Sequence, residues 1–258
     1  MFLKKNKTET VQDSKIILGM IMLLDETSFD LNGFLEDYNN NYPYRINKFL
    51  GDNSLVAFKI DNEMVTIAHM PFPIPSGDIV ETAEYAYNWQ SVLDDTKEYK
   101  SHLIVSIIQG GHDQIKRFKI FTQVLCSLFR TTNSVGVYKG NQSLLISKEE
   151  YLNEAALMNN DYLPLNLWIY FGLRTSENGN SGYTYGLREF NKTEMEVLNS
   201  LKSVEDVRGF LFNMSYYILE YDVTFKDGQT CGRSEEERIG ITISKGKFVG
   251  GDTFKLAY

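Results

Sequence analysis

The sequence predicts an α+β protein built on a buried mixed sheet, with a ferredoxin-like β-α-β-β-α-β N-terminal half packed on a second α+β half. Three observations predict it. Apolar runs of strand length stand at residues 16–24 (IILGMIMLL) and 101–110 (SHLIVSIIQG), bulky enough for strands buried on both faces. Segments with helical spacing alternate with them. The longest covers 113–130, where Ile115, Phe118, Phe121, Val124, Leu125, Leu128 and Phe129 make one apolar face. The composition, 43% hydrophobic and 23% charged, is that of a globular domain, and its 16 Tyr and 16 Phe supply large rings for a core.

In chain order, residues 1–14 are polar and read as a loose leader, followed by an N-terminal half over 15–160. After the first strand, DETSFD predicts a helix start capped by Thr27 or Ser28, running to about Asn40. Residues 55–70 flank the turn pair Asp61-Asn62 and predict a hairpin. Three prolines in PFPIPSG, residues 71–77, keep that segment out of a central strand. Ser76 and Asp78 open a helix carrying Ile79, Ala83, Tyr87 and, to one side, Trp89. SVGVYKG predicts a short strand, and Ser147 with Glu150 forms a capping box for the next helix.

A seam at 158–164 opens the C-terminal half, 161–258. LPLNLWIYFGLRT and YTYGLREF predict paired strands around SENGNSG. NKTEMEVLNSL, residues 191–201, predicts a helix, and a second helix opens at Ser203 and Asp206. VTFKDGQTCG predicts a hairpin around Asp227-Gly228, and RIGITISKG a final strand.

The formal net charge is −8, which repels phosphate backbones and speaks against nucleic-acid binding. No apolar core follows the basic N-terminal residues and no stretch approaches the length of a membrane span, so a cytoplasmic location is expected. Two cysteines, Cys126 and Cys231, suggest neither a disulfide framework nor a zinc site.

Candidate chemistry is sparse, and a structural role is the plainer reading for each residue. His69, His102 and His112 form no metal-ligand pattern, and no cofactor motif is present. His102 and His112 are the pair to consider for acid–base work, meeting across a strand and its following loop. Residues 109–113 (QGGHD) run from a strand through Gly110 and Gly111 to a helix start at Asp113, where backbone N–H groups can hold an anion. The plain alternative is a tight turn that needs positive φ at glycine. Cys126 sits among Leu and Phe and reads as packing, while Cys231 stands near Arg233 without a neighbouring histidine. Glu235, Glu236 and Glu237 read as a self-paired charged turn or as an acidic contact patch for a partner; Trp89 is a further candidate anchor.

Two stretches look familiar: GMIMLLDETSFDLNGFLEDY with the MPFPIPSGDI turn and Trp89, and the C-terminal DGQTCG–SEEERIGI segment. Together, from Gly19 to Gly246, they resemble the bacterial domain-of-unknown-function family 4261 (DUF4261). The resemblance implies an intracellular bacterial protein and offers no catalytic residues. The sequence therefore leads us to expect a non-enzymatic protein-binding module, of immunity type or regulatory, with a toxin-like or regulatory protein as partner. A small-molecule hydrolase with its site at the Gly110–Asp113 turn is the alternative.

Overall fold

A computed structural model describes residues 15–159, 161–232 and 237–258, so the expected leader lies outside the described residues. The fold is α+β, with two sheets formed in succession along the chain. The first sheet contains β1 (Ile17–Leu23), β2 (Phe49–Gly51), β3 (Leu55–Ile60), β4 (Glu63–Met70), β5 (Ser101–Gln109), β6 (Ser134–Lys139) and β7 (Leu144–Ser147). Their spatial order is β2-β3-β4-β5-β1-β6-β7, with antiparallel pairings throughout.

The β-α-β-β-α-β succession is present: β1, α1 (Leu31–Asn41), β3, β4, α2 (Ser76–Ala83), β5, with short β2 and the four-residue helix α3 (Val92–Asp95) added. The strand arrangement is not the ferredoxin-like one. There the first and third strands are parallel neighbours. Here β5 lies between β1 and β4 and runs antiparallel to both. Element order dictates what a helix connects; it does not dictate which strands become neighbours.

The two faces of β1 show how the layers form, because successive side chains of a strand point to opposite sides. Ile17, Ile21 and Leu23 enter the main core with α1 and α4 (Gln114–Thr131). Met22 joins Ile74, Ile79, Trp89, Val92 and Leu145 under α2 and α3 on the other face. The cap of α1 is Asp30 rather than Thr27 or Ser28, its carboxylate accepting from Asn32 N. Asp113 caps α4, accepting from Lys116 N at 3.0 Å. Ser147 caps α5 (Lys148–Ala156), but Glu150 does not complete a capping box, since its carboxylate accepts from Asn88 at 3.0 Å.

The second sheet contains β8 (Tyr170–Ser176), β9 (Gly179–Tyr185), β10 (Met195–Ser200), β11 (Thr230–Cys231), β12 (Ile239–Lys245) and β13 (Asp252–Leu256), in the order β11-β12-β13-β10-β9-β8. β10 and β13 are parallel, which makes this sheet mixed. Helix α6 (Val204–Glu220) covers it, capped by Ser203 as the sequence predicts. The expected helix over 191–201 is strand β10. Glu194, Met195, Glu196 and Leu198 are good helix formers, but tertiary partners override that preference: Met195 and Val197 pack in the core while Glu194 and Glu196 accept buried hydrogen bonds. The hairpin placed around Asp227-Gly228 is instead a turn docked on β12, with Asp227 accepting from Ile243 N, while β11 makes the pairing.

Trp168 locks the two sheets together. It is fully buried, donates to Thr122 Oγ1 at 2.9 Å, and lies 5.7 Å from the Phe118 ring and 5.8 Å from the Phe190 ring.

Candidate functional site

The Gly110–Asp113 turn does hold an anion, and the anion is internal. Gly111 N–H donates to Glu63 Oε1 at 2.9 Å, and Arg117 Nε donates to Glu63 Oε2 at 2.9 Å. Glu63 is 2% exposed and Arg117 0%. Arg117 also donates to Lys15 O at 2.7 Å, Gln114 Oε1 at 3.2 Å and Ile107 O at 3.3 Å, so the buried guanidinium is well satisfied. A Cβ on Gly110 would stand 1.6 Å from Glu63 Oε2. Close approach, not positive φ, is what demands glycine here, for neither Gly110 nor Gly111 has a positive φ.

The two histidines do not meet. His102 lies near the start of β5 and His112 just beyond its end, separated by on the order of 25 Å of extended strand. His102 is buried, with Nδ1 2.8 Å from Phe72 O; burial, partly countered by that contact, pushes its pKa below the ordinary value. His112 is exposed and lines a cavity of about 590 Å³ with Asp113, Lys192 and Asp222. There Lys192 is already paired with Asp222 at 2.6 Å.

The remaining candidates are dispersed. Burial pushes the Cys126 thiol up to about 12, and burial with the nearby Glu237 charge pushes Cys231 up to about 11, so neither is an activated nucleophile. Trp89 is 6% exposed, donates to Asp95 Oδ2 at 2.6 Å and belongs to the smaller core cluster. Glu235 and Glu236 lie outside the described residues, and Glu237 follows them on the approach to β12. Among the described residues no group of three or more His, Cys, Asp and Glu side chains is placed to hold a metal ion. No helix among them is long and apolar enough to cross a membrane.

Two further loops are fastened as the glycine turn is. Glu194 is 1% exposed and accepts from Thr184 Oγ1 at 2.7 Å, Gly186 N at 2.9 Å and Arg188 N at 3.2 Å. Glu196 is 0% exposed and accepts from Phe248 N at 2.8 Å, Lys247 N at 3.0 Å and Lys255 Nζ at 2.8 Å. Burial alone would raise the Glu196 pKa, but Lys255 and the two N–H groups outweigh it and hold the carboxyl below the ordinary value.

The Glu196 loop forms one wall of an open cavity of about 290 Å³ where the two sheets come together. Tyr170 and Arg174 enter from β8, Tyr183 and Tyr185 from β9, Phe248 from the loop, and Tyr85 from the turn after α2. Tyr183 stacks on Phe248 at 5.2 Å, Tyr170 meets Tyr183 edge-on at 6.0 Å, and the Arg174 guanidinium lies 5.8 Å from the Tyr85 ring centre. Ser143, also in the wall, has φ 50; the other described non-glycine residues with positive φ are Asn or Asp. Burial raises the pKa of both Tyr170 and Tyr183, so both hydroxyls stay protonated. This groove was not foreseen from the sequence. Its rings come from three separate stretches of the chain, at 85, 170–185 and 248, and only the abundance of Tyr hinted at it.

A search of curated proteins finds no match for this chain. The family model described as Domain of unknown function (DUF4261) matches residues 183–257, a narrower span than the resemblance from Gly19 to Gly246. The MPFPIPSGDI turn and Trp89 fall outside it, whereas DGQTCG and the strand that follows fall inside. The matched segment runs from within β9 to the end of β13 and carries Tyr183, Tyr185 and Phe248 of the groove wall, and it is over this segment that the chain is similar to the DUF4261 family.

Proposed function

We propose that the protein is a non-enzymatic protein-binding module, regulatory or of immunity type, whose partner docks in the aromatic groove between the two sheets. The observation that carries this reading is the groove's lining of five aromatic rings and one arginine, contributed by β8, β9, the loop at 247–249 and the turn after α2. Tyr and Arg are the residue types that dominate binding energy at protein interfaces, because each offers large area with a polar end. A cavity of about 290 Å³ suits one or two inserted side chains. The low cysteine count supports a reducing, cytoplasmic setting, and the family resemblance supports a bacterial one. The hydrolase alternative has less support, since the Gly111 N–H that would bind a substrate oxyanion is engaged by Glu63.

The test is capture of partners from bacterial lysate by the tagged full-length chain, followed by affinity measurement with the purified partner. Tyr85→Ala and Phe248→Ala should each weaken binding by about tenfold or more, as expected for central aromatic anchors. A purified partner whose affinity is unchanged by both substitutions would rule the groove out as the docking site.

A further inference from the structure

We propose that the groove receives an acidic residue of the partner, its carboxylate on Arg174 and an adjacent apolar side chain among the rings. The proposal deepens the docking reading above and rests on it. It starts from a charge imbalance. The chain carries a net −8, yet Arg174 in the groove wall and Lys247 beside it have no carboxylate within ion-pair distance among the described residues. Arg174 is exposed, and among the described residues its guanidinium makes one hydrogen bond, a 3.2 Å contact to the carbonyl of its neighbour Leu173. Other arginines are engaged: Arg117 with Glu63, Arg130 with both oxygens of Asp37 at 2.6–3.1 Å, and Arg208 with Asn166 at 2.8 Å. Lys247 stands 5.4 Å from the Phe248 ring centre and makes no ion pair among the described residues. The carboxylate whose charge bears on Tyr183 is Glu196, and its oxygens are already taken by Lys255 and the loop N–H groups.

The donors suit a carboxylate. A guanidinium presents a fixed fork of N–H groups that matches two carboxylate oxygens. Tyr170 and Tyr183 line the same groove, and a phenol hydroxyl can donate to a carboxylate oxygen. Both hydroxyls stay protonated, as noted. The rings of Tyr85 and Phe248 on either side provide the apolar contact, so a carboxylate with an aromatic or aliphatic neighbour fits better than a bare anion.

The probe is a set of three peptides, Ac-Gly-Asp-Phe-Gly-NH2 and its Asn and Lys counterparts, titrated into the ¹⁵N-labelled full-length chain by NMR. The Asp peptide should shift amides of residues 170–174, 183–185 and 247–250 and bind about tenfold more tightly than the Asn peptide, a preference that falls in 0.5 M salt. The Lys peptide should be weakest. Arg174→Gln should abolish the Asp-over-Asn preference while leaving amides elsewhere in place. Equal binding of Asp and Asn peptides in the groove would overturn the charge proposal and leave the docking reading standing, as would an Arg174→Gln protein that keeps the preference. If none of the peptides perturbs the groove at millimolar concentration, the charge proposal is likewise rejected. The docking reading is then decided separately by the Tyr85 and Phe248 substitutions against the purified partner.

Discussion

Replacing Lys139 by Met should stabilise the protein at neutral pH and destabilise it at high pH. Lys139 ends β6 at the junction of the sheets, 0% exposed, with Nζ 2.6 Å from Leu167 O and 5.3 and 5.9 Å from the ring centres of Phe118 and Phe121. It has no carboxylate within ion-pair distance among the described residues, and Glu189 acts on it only as a more distant charge. Burial pushes its pKa from 10.5 down to about 7. At 1.36 kcal/mol per unit, that drop corresponds to about 5 kcal/mol of penalty on the charged form, an upper bound. The sign follows from proton counting. Between about 7 and 10.5 the unfolded chain binds the proton and the folded protein does not, so this residue makes stability rise with pH. Below about 7 the penalty is present in full; above 10.5 it is gone. Met conserves the stem's volume but leaves Leu167 O without its donor, which costs about 1–3 kcal/mol at every pH. The variant should therefore be the more stable by about 2–4 kcal/mol at pH 7 and the less stable by about 1–3 kcal/mol near pH 10.5. Urea unfolding of both proteins at matched pH, with equal m-values, isolates the difference, because all other titrating groups cancel. A difference constant to within about 0.5 kcal/mol across that range, near the resolution of the method, would show that the ammonium is charged and solvated in the folded state.

Two further predictions address the glutamate-held loops. Gly110→Ala places a methyl where Glu63 Oε2 now sits and should cost about 3–5 kcal/mol, the range for breaking a buried ion pair. Gly209→Ala, on α6 with nothing within 4 Å, should add about 0.5–1 kcal/mol, and equal effects at the two sites in thermal unfolding would contradict the role assigned to Gly110. Glu196, held below its ordinary pKa of 4.5, contributes stability that is complete above that value and is lost as pH falls through the lower folded pKa. Acid unfolding followed by circular dichroism should be less steep below about pH 4.5 for Glu196→Gln than for wild type, and parallel curves would refute the reading.

The parts of the fold legible in the sequence are those where local signals and burial agree. Residues 17–23 and 101–109 are strands because their apolar runs are buried, and α4 has an apolar face that the core needs. β10 was illegible because Glu196 and the Glu194 that precedes the strand look like helix-surface residues. Only the loops that come to bond them, 186–188 and 247–249, make those positions interior, and the loops lie 8 and about 50 residues away. The same cause hid the meaning of QGGHD. One N–H of the segment, that of Gly111, is bonded to a carboxylate, but the carboxylate is that of Glu63, 48 residues earlier across the sheet. The tyrosine groove left no linear trace, since its walls meet only when β8 and β9 come to lie beside the turn after α2.

The way Glu196 fastens residues 247–249 has a consequence for how the protein diversifies. Its carboxylate grips main-chain N–H groups, which every residue type except proline supplies. The course of this rim is thus independent of the side chains it displays. Positions 247 and 248 form a cassette whose side chains can be exchanged by single substitutions while the path of the wall persists.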